Sequence, residues 1–130
     1  MCDYAWRGDF ASQELDELHS VAFATKRTQI DWQQQVEAHS LGWVTARQLG
    51  KLVGFVNVAW DGGTHAFILD TMVDPSVRRQ NIGTKLIACA VDGARAADCE
   101  WLHVDFEAKY ETFYIDACGF KSTRAGVLSL

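Results

Sequence analysis

Two arginines, a glutamine, an asparagine and a glycine stand together at Arg78-Arg79-Gln80-Asn81-Ile82-Gly83, with Thr84 and Lys85 following. An apolar run, Phe67 to Val73, precedes them. Ile82, Leu86, Ile87, Ala90, Val91 and Ala94 then recur at three- and four-residue intervals, the period of an amphipathic helix. A helix that opens on such a turn leaves its first amides without internal partners. Those amides carry partial positive charge, so an anion settles on them. Gly83 has no side chain to hold a ligand away from the backbone. Arg78 and Arg79 add full charges. The chemistry this spacing supports is the cradling of a diphosphate.

The same residues carry a family resemblance. Val73-x-Pro75-x-x-Arg78-x-x-Asn81-Ile82-Gly83-x-x-Leu86 resembles the acetyl-CoA motif of the GNAT superfamily of N-acetyltransferases. Asn81 stands where the family's pattern has its first glycine; asparagine tolerates a left-handed backbone better than most residues. Leu102 to Glu107, then Phe113-Tyr114 and Gly119-Phe120, resemble the family's later segment. The resemblance implies backbone contacts from Met72 and Val73 to the pantetheine arm. It implies that amides of Arg79, Gln80, Asn81, Ile82, Gly83 and Thr84 hold the diphosphate, with Arg78, Arg79 or Lys85 meeting nucleotide phosphates. It places Tyr114 as the general acid that protonates the departing thiolate. Glu107 and Tyr110 replace an asparagine and an alanine common in relatives, so those side-chain contacts do not carry over.

Acyl transfer from a thioester to an amine needs three things. The amine loses a proton, the carbonyl oxygen is stabilised, and the thiolate leaves. A tyrosine, with a reference pKa of about 10, stays protonated at neutral pH and can donate. Candidates for taking the amine proton are Glu107, ranked first as the end of a strand, then Asp105, Asp70, His65 and His103. The resemblance puts Trp32 and the loop from Thr25 to Asp31 in the wall of the acceptor site, with a buried tryptophan anchoring a short helix as the equal alternative for Trp32; Asp70 and Asp105 are expected beside the acceptor. The reading is an N-acetyltransferase working by direct attack in a ternary complex, with acetyl-CoA as acyl donor and no metal. The alternative is a CoA-binding module without catalysis.

These groups need a scaffold. Tyr4 and Trp6 suggest a first strand. Leu15, Leu18, Ala22 and Phe23 form one helix face, with Ser12 as its cap. Asp31 with Gln34 predicts a capped second helix to about His39. Leu41–Gln48, Leu52–Trp60 and a run from His65 or Ala66 to Val73 read as an antiparallel meander. A helix from about Asn81 to Ala97 and a strand from Trp101 to Phe106 follow, which makes the last pair parallel. Tyr110, Phe113, Tyr114 and Ala117 share helical spacing. Phe120–Thr123 and Val127–Leu130 read as closing strands. The expected fold is α/β (α+β): a GNAT-like, mainly antiparallel, splayed sheet of about 6–7 strands with about 4 helices, as one domain over residues 1–130.

Composition narrows the classes. Nearly half of the 130 residues are apolar, which argues against disorder. A net charge of −5 argues against general nucleic-acid binding and agrees with an amine acceptor on a small molecule, peptide or protein. The first residues lack a basic segment followed by an apolar one, and no apolar run reaches the roughly 20 residues a membrane span needs. A cytoplasmic protein is expected. Cys2, Cys89, Cys99 and Cys118 are scattered without metal-ligand spacing. Several tryptophans and an apolar C-terminus leave a homodimer open.

Overall fold

The computed structural model describes residues 1–130. One sheet of five strands, in spatial order β1-β2-β3-β4-β5, forms its centre. The strands are β1 (Asp3–Trp6), β2 (Ser40–Gln48), β3 (Lys51–Trp60), β4 (His65–Val73) and β5 (Trp101–His103). The first four pair antiparallel, and β4 pairs with β5 in parallel. Three α-helices flank the sheet: α1 (Ser12–Phe23), α2 (Trp32–His39) and α3 (Ile82–Ala96). A π-type helix, Thr112–Ala117, is the fourth.

The sheet's side chains alternate between two cores, as the period-2 pleat requires. Val44, Ala46, Val56 and Val58 face α3, meeting Ile82, Leu86, Ile87, Ala90 and Ala94. Trp43, Phe55 and Met72 face the opposite layer, with Leu15 and Leu18 of α1 and Trp32 and Val36 of α2. Asp31 caps α2 by accepting the amide hydrogen of Gln34 at 3.1 Å. Ser12 is not a cap. Ala11 takes that place, and the Ser12 hydroxyl donates to Asp31 and accepts from the Gln33 amide, tying α1 to the start of α2.

Five strands form where 6–7 were expected, and β5 stops at His103 instead of running to Phe106. The cause lies in β4. Phe55 pairs with Met72, but Asn57 pairs with Leu69, so β4 carries one extra residue there. Asp70 takes a left-handed backbone, φ 56°. Such a bulge bends its strand and ends regular pairing. Accordingly β4 and β5 pair only over His65–Phe67 and Trp101–His103. Beyond that they diverge. At the C-terminus Gly119, φ 81°, ends the helix and the Phe120 amide closes onto the Tyr114 carbonyl at 3.0 Å. Residues 121–130 are exposed and join no ladder. The polar stretch Lys121 to Arg124 and Ala125-Gly126 offer little apolar surface to hold a strand against the short β5. No helix is long and apolar enough to cross a membrane.

Candidate functional site

The divergence of β4 from β5 opens a cleft of about 1040 Å³. One wall is β4 from Ile68 to Val73; the other is Val104 to Glu107. Arg78, Arg79 and the start of α3 line it as well, together with His19, Ala22, Phe23 and Thr25 from the last turns of α1 and the residues just after it.

The cradle turn is built by two left-handed residues, Arg79 (φ 74°) and Asn81 (φ 60°, ψ 22°), on either side of Gln80. Left-handed conformations are costly for residues with a Cβ, and they persist where surrounding structure enforces them. Here Asp74 does so from upstream. Its carboxylate accepts from the Ser76 amide at 2.9 Å and its carbonyl from the Val77 amide at 3.1 Å, which folds Pro75–Val77 into one 3-10 turn. The hydrogen bond from Ser76 holds the Asp74 carboxyl below the usual range. Downstream, the first cap bond of α3 is Lys85 N–H to the Asn81 carbonyl. No loop or cap hydrogen bond uses the amides of residues 78 to 84. The result is a run of free N–H groups at a helix N-terminus, a nest for an anion. A Cβ on Gly83 would sit 3.2 Å from the Phe113 ring, so the turn approaches the cleft wall closely.

Because Asn81 adopts a glycine's conformation, two substitutions have opposite expectations. Asn81→Gly should leave acetyl-CoA affinity within about threefold, since glycine accepts positive φ freely. Asn81→Val should weaken it roughly tenfold or more, since a left-handed L-residue costs on the order of 1–2 kcal/mol. Calorimetric titration of the two variants measures both.

Of the residues singled out in the sequence, Met72, Val73, Arg78, Arg79, Asn81, Ile82, Gly83 and Thr84 line the cleft, and so do Asp70, Asp105, Glu107 and Tyr114. Three do not. Gln80 turns outward, its Oε1 accepting from Gln48 Nε2 at 2.8 Å. Lys85 is exposed on α3 away from the cleft lining. Trp32, expected in the acceptor wall, is 3% exposed; its Nε1 donates to Asp16 and its ring packs in the α1–α2 core. Arg78 is engaged as well, its Nη2 donating to the Ala22 carbonyl at 3.1 Å, which links the turn to the end of α1.

Tyr114 is buried, and three aromatic rings fix its orientation: Phe113 at 4.7 Å, Phe106 at 5.0 Å and Phe120 at 5.9 Å between centroids. Tyr114 sits in the π-type helix, whose wider turn re-aims side chains and recurs at functional sites. Burial pushes its pKa above the ordinary phenol value. Burial likewise raises the Asp70 pKa, partly offset by a 3.4 Å hydrogen bond from Asn57 Nδ2 and by nearby His19. Glu107 is different. It is an exposed carboxylate 3.4 Å from Lys109 Nζ. His65 and His103 are not among the cleft residues. Their rings meet end to end on the outer face of β4 and β5, Nδ1 to Nε2 at 2.7 Å. His19, Phe23, Thr71, Phe106 and Phe113 join the site without having been singled out for it. No local spacing marks them, because the bulge and the packing of α1 bring them there.

Residues 6–120 match the model of the acetyltransferase (GNAT) family. No curated protein sequence matches the chain significantly. Solved structures share its fold. A GNAT-family acetyltransferase from Streptococcus pneumoniae superposes with a TM-score of 0.81 at 21% identity, covering 100% of this chain and 98% of its own. Glucosamine-6-phosphate N-acetyltransferase from Arabidopsis thaliana gives 0.78 at 15% identity, covering 98% of each chain. The aminoglycoside acetyltransferase AAC(6')-Iy, solved with a bisubstrate analogue of CoA and acetylneamine, gives 0.75 at 16% identity, covering 100% of this chain and 97% of its own.

Proposed function

Because the chain belongs to the GNAT acetyltransferase family, we propose that it transfers an acetyl group from acetyl-CoA to a primary amine by direct attack within one cleft. The observation that carries this reading is the meeting of two chemistries on a single opening. Free amides and arginines stand at one end, and a buried phenol with a half-buried carboxylate stands further in.

The residues fit an acyl-CoA. The amides of residues 79 to 84 suit the diphosphate, Arg79 suits a nucleotide phosphate, and the divergent edge of β4 at Met72 and Val73 suits an extended pantetheine arm. When bound, acetyl-CoA supplies the thioester whose carbonyl carbon the amine nitrogen joins as the C–S bond breaks. Tyr114 keeps its proton at neutral pH because burial raises its pKa, and it can give that proton to the leaving sulfur. Asp70 is better suited than Glu107 to take the amine's proton. It sits at the bulge on the cleft wall, whereas Glu107 is solvated and paired with Lys109. Asp70, Asp105 and Glu107 together favour a cationic amine, in line with the net charge of −5.

The test is calorimetric titration with acetyl-CoA, then thiol release across a panel of polyamines, aminoglycosides and lysine peptides. Binding, with thiol release only when an amine is present, is the expected result. No heat of binding overturns the reading; binding without release across the panel favours a CoA-binding module. Asp70→Asn should lower kcat/KM roughly 100-fold and flatten its acidic limb. The sign follows from the raised pKa. Asp70 accepts a proton only when ionised, so activity falls as pH drops through a value above the ordinary carboxylate pKa of about 3.9. A pH profile unchanged in the Asn variant removes Asp70 from the role.

A further inference from the structure

The bulge in β4 places one polar side chain that the mechanism above leaves unused. Thr71 follows the left-handed Asp70 and belongs to the cleft lining. The Thr71 Oγ1 is shut off from solvent and finds no hydrogen-bond partner within the protein. Buried hydroxyls are nearly always paired, so an orphan calls for an explanation. The Tyr114 phenol lines the same cleft and is influenced by Thr71. The Thr71 hydroxyl acts to lower the proton affinity of that phenol, yet no hydrogen bond joins the two groups.

We propose that Thr71 is a positioning residue for Tyr114: its hydroxyl donates to the Tyr114 oxygen once that oxygen has given up its proton. This rests on Tyr114 being the general acid. The amine nitrogen bonds to the carbonyl carbon, the C–S bond breaks with its electron pair going to sulfur, and the Tyr114 proton goes to that sulfur. The phenolate left behind needs a donor while its proton is away. The groups that face it are Asp105 beyond β5, Tyr110 in the preceding turn and Cys118 just past the end of its own helix, and all three raise its proton affinity. Thr71 alone among its neighbours acts in the opposite direction. The proton released by the amine returns to Tyr114 through solvent and resets the site.

Thr71→Val keeps the shape of the side chain and removes the donor. It should lower kcat on the order of tenfold, the worth of one hydrogen bond to a charged oxygen, and move the alkaline limb of kcat to higher pH. Acetyl-CoA affinity by calorimetry should stay within about twofold. Thr71→Ser should restore kcat. In the background of Tyr114→Phe, Thr71→Val should cost nothing more, because the oxygen it serves is absent. If Tyr114→Phe is slow but Thr71→Val turns over normally, or if the two losses multiply, the inference is wrong. If Tyr114→Phe itself turns over normally, the acid assignment fails and Thr71 falls with it.

Discussion

Tyr114→Phe is expected to lower kcat about 100-fold or more, the usual contribution of a placed general acid. Acetyl-CoA binding should be nearly unchanged. Phenylalanine keeps the ring, and it is the ring that Phe106, Phe113 and Phe120 hold. Only the proton is removed. Because the proposed role calls for that proton as the thiolate leaves and not in the ground state, kcat and kcat/KM should fall together. Steady-state thiol release and calorimetry on the same preparation measure both quantities. A normal kcat would show that the thiolate departs without help from this phenol.

The second large effect concerns stability. Asp16→Ala is expected to cost about 3 kcal/mol or more, and to lower Tm by roughly 10 °C. Asp16 is 3% exposed on α1. Its carboxylate accepts from Arg27 Nε at 2.9 Å, from the amides of Thr28 and Gln29 at 3.1 and 3.2 Å, from the Thr28 hydroxyl, and from Trp32 Nε1 at 3.3 Å. One side chain thus fastens the connection between α1 and α2, in which Thr25 lines the cleft. Alanine would leave these donors unpaired in or near the core. Burial alone would push the Asp16 pKa up, but the hydrogen bonds from Thr28, Arg27 and Gln29 outweigh it and hold the carboxyl well below its usual range. A depressed folded pKa stabilises above the unfolded value of about 3.9, and that contribution is lost as pH falls toward the folded one. Urea unfolding should therefore show a pH dependence below about pH 4 that Asp16→Asn weakens. A loss under about 1 kcal/mol for the alanine variant would mean that the loop holds itself.

Much of the site could be read from local pattern. The Arg78–Gly83 turn, the period of α3 and the Asp31 cap all depend on residues within a few positions of one another. Even the left-handed Asn81 was legible, because asparagine at a glycine position is a local backbone statement. Trp32 was misplaced for the opposite reason. Whether its ring met the cleft or the core was decided by partners far off in sequence, among them Asp16, sixteen positions away.

Residue order and period by themselves determined the meander, the crossover through α3 and the glycine-bearing turn at the start of that helix, since each follows from repeats and turn chemistry confined to short stretches. Only the tertiary structure decided where β4 and β5 part, that five strands suffice, and that Thr71, Asp70 and Tyr114 face one opening. The physical reason is the extra residue at the bulge. It carries no composition signal, yet it re-aims every side chain after it and halts the pairing that would otherwise have closed the cleft.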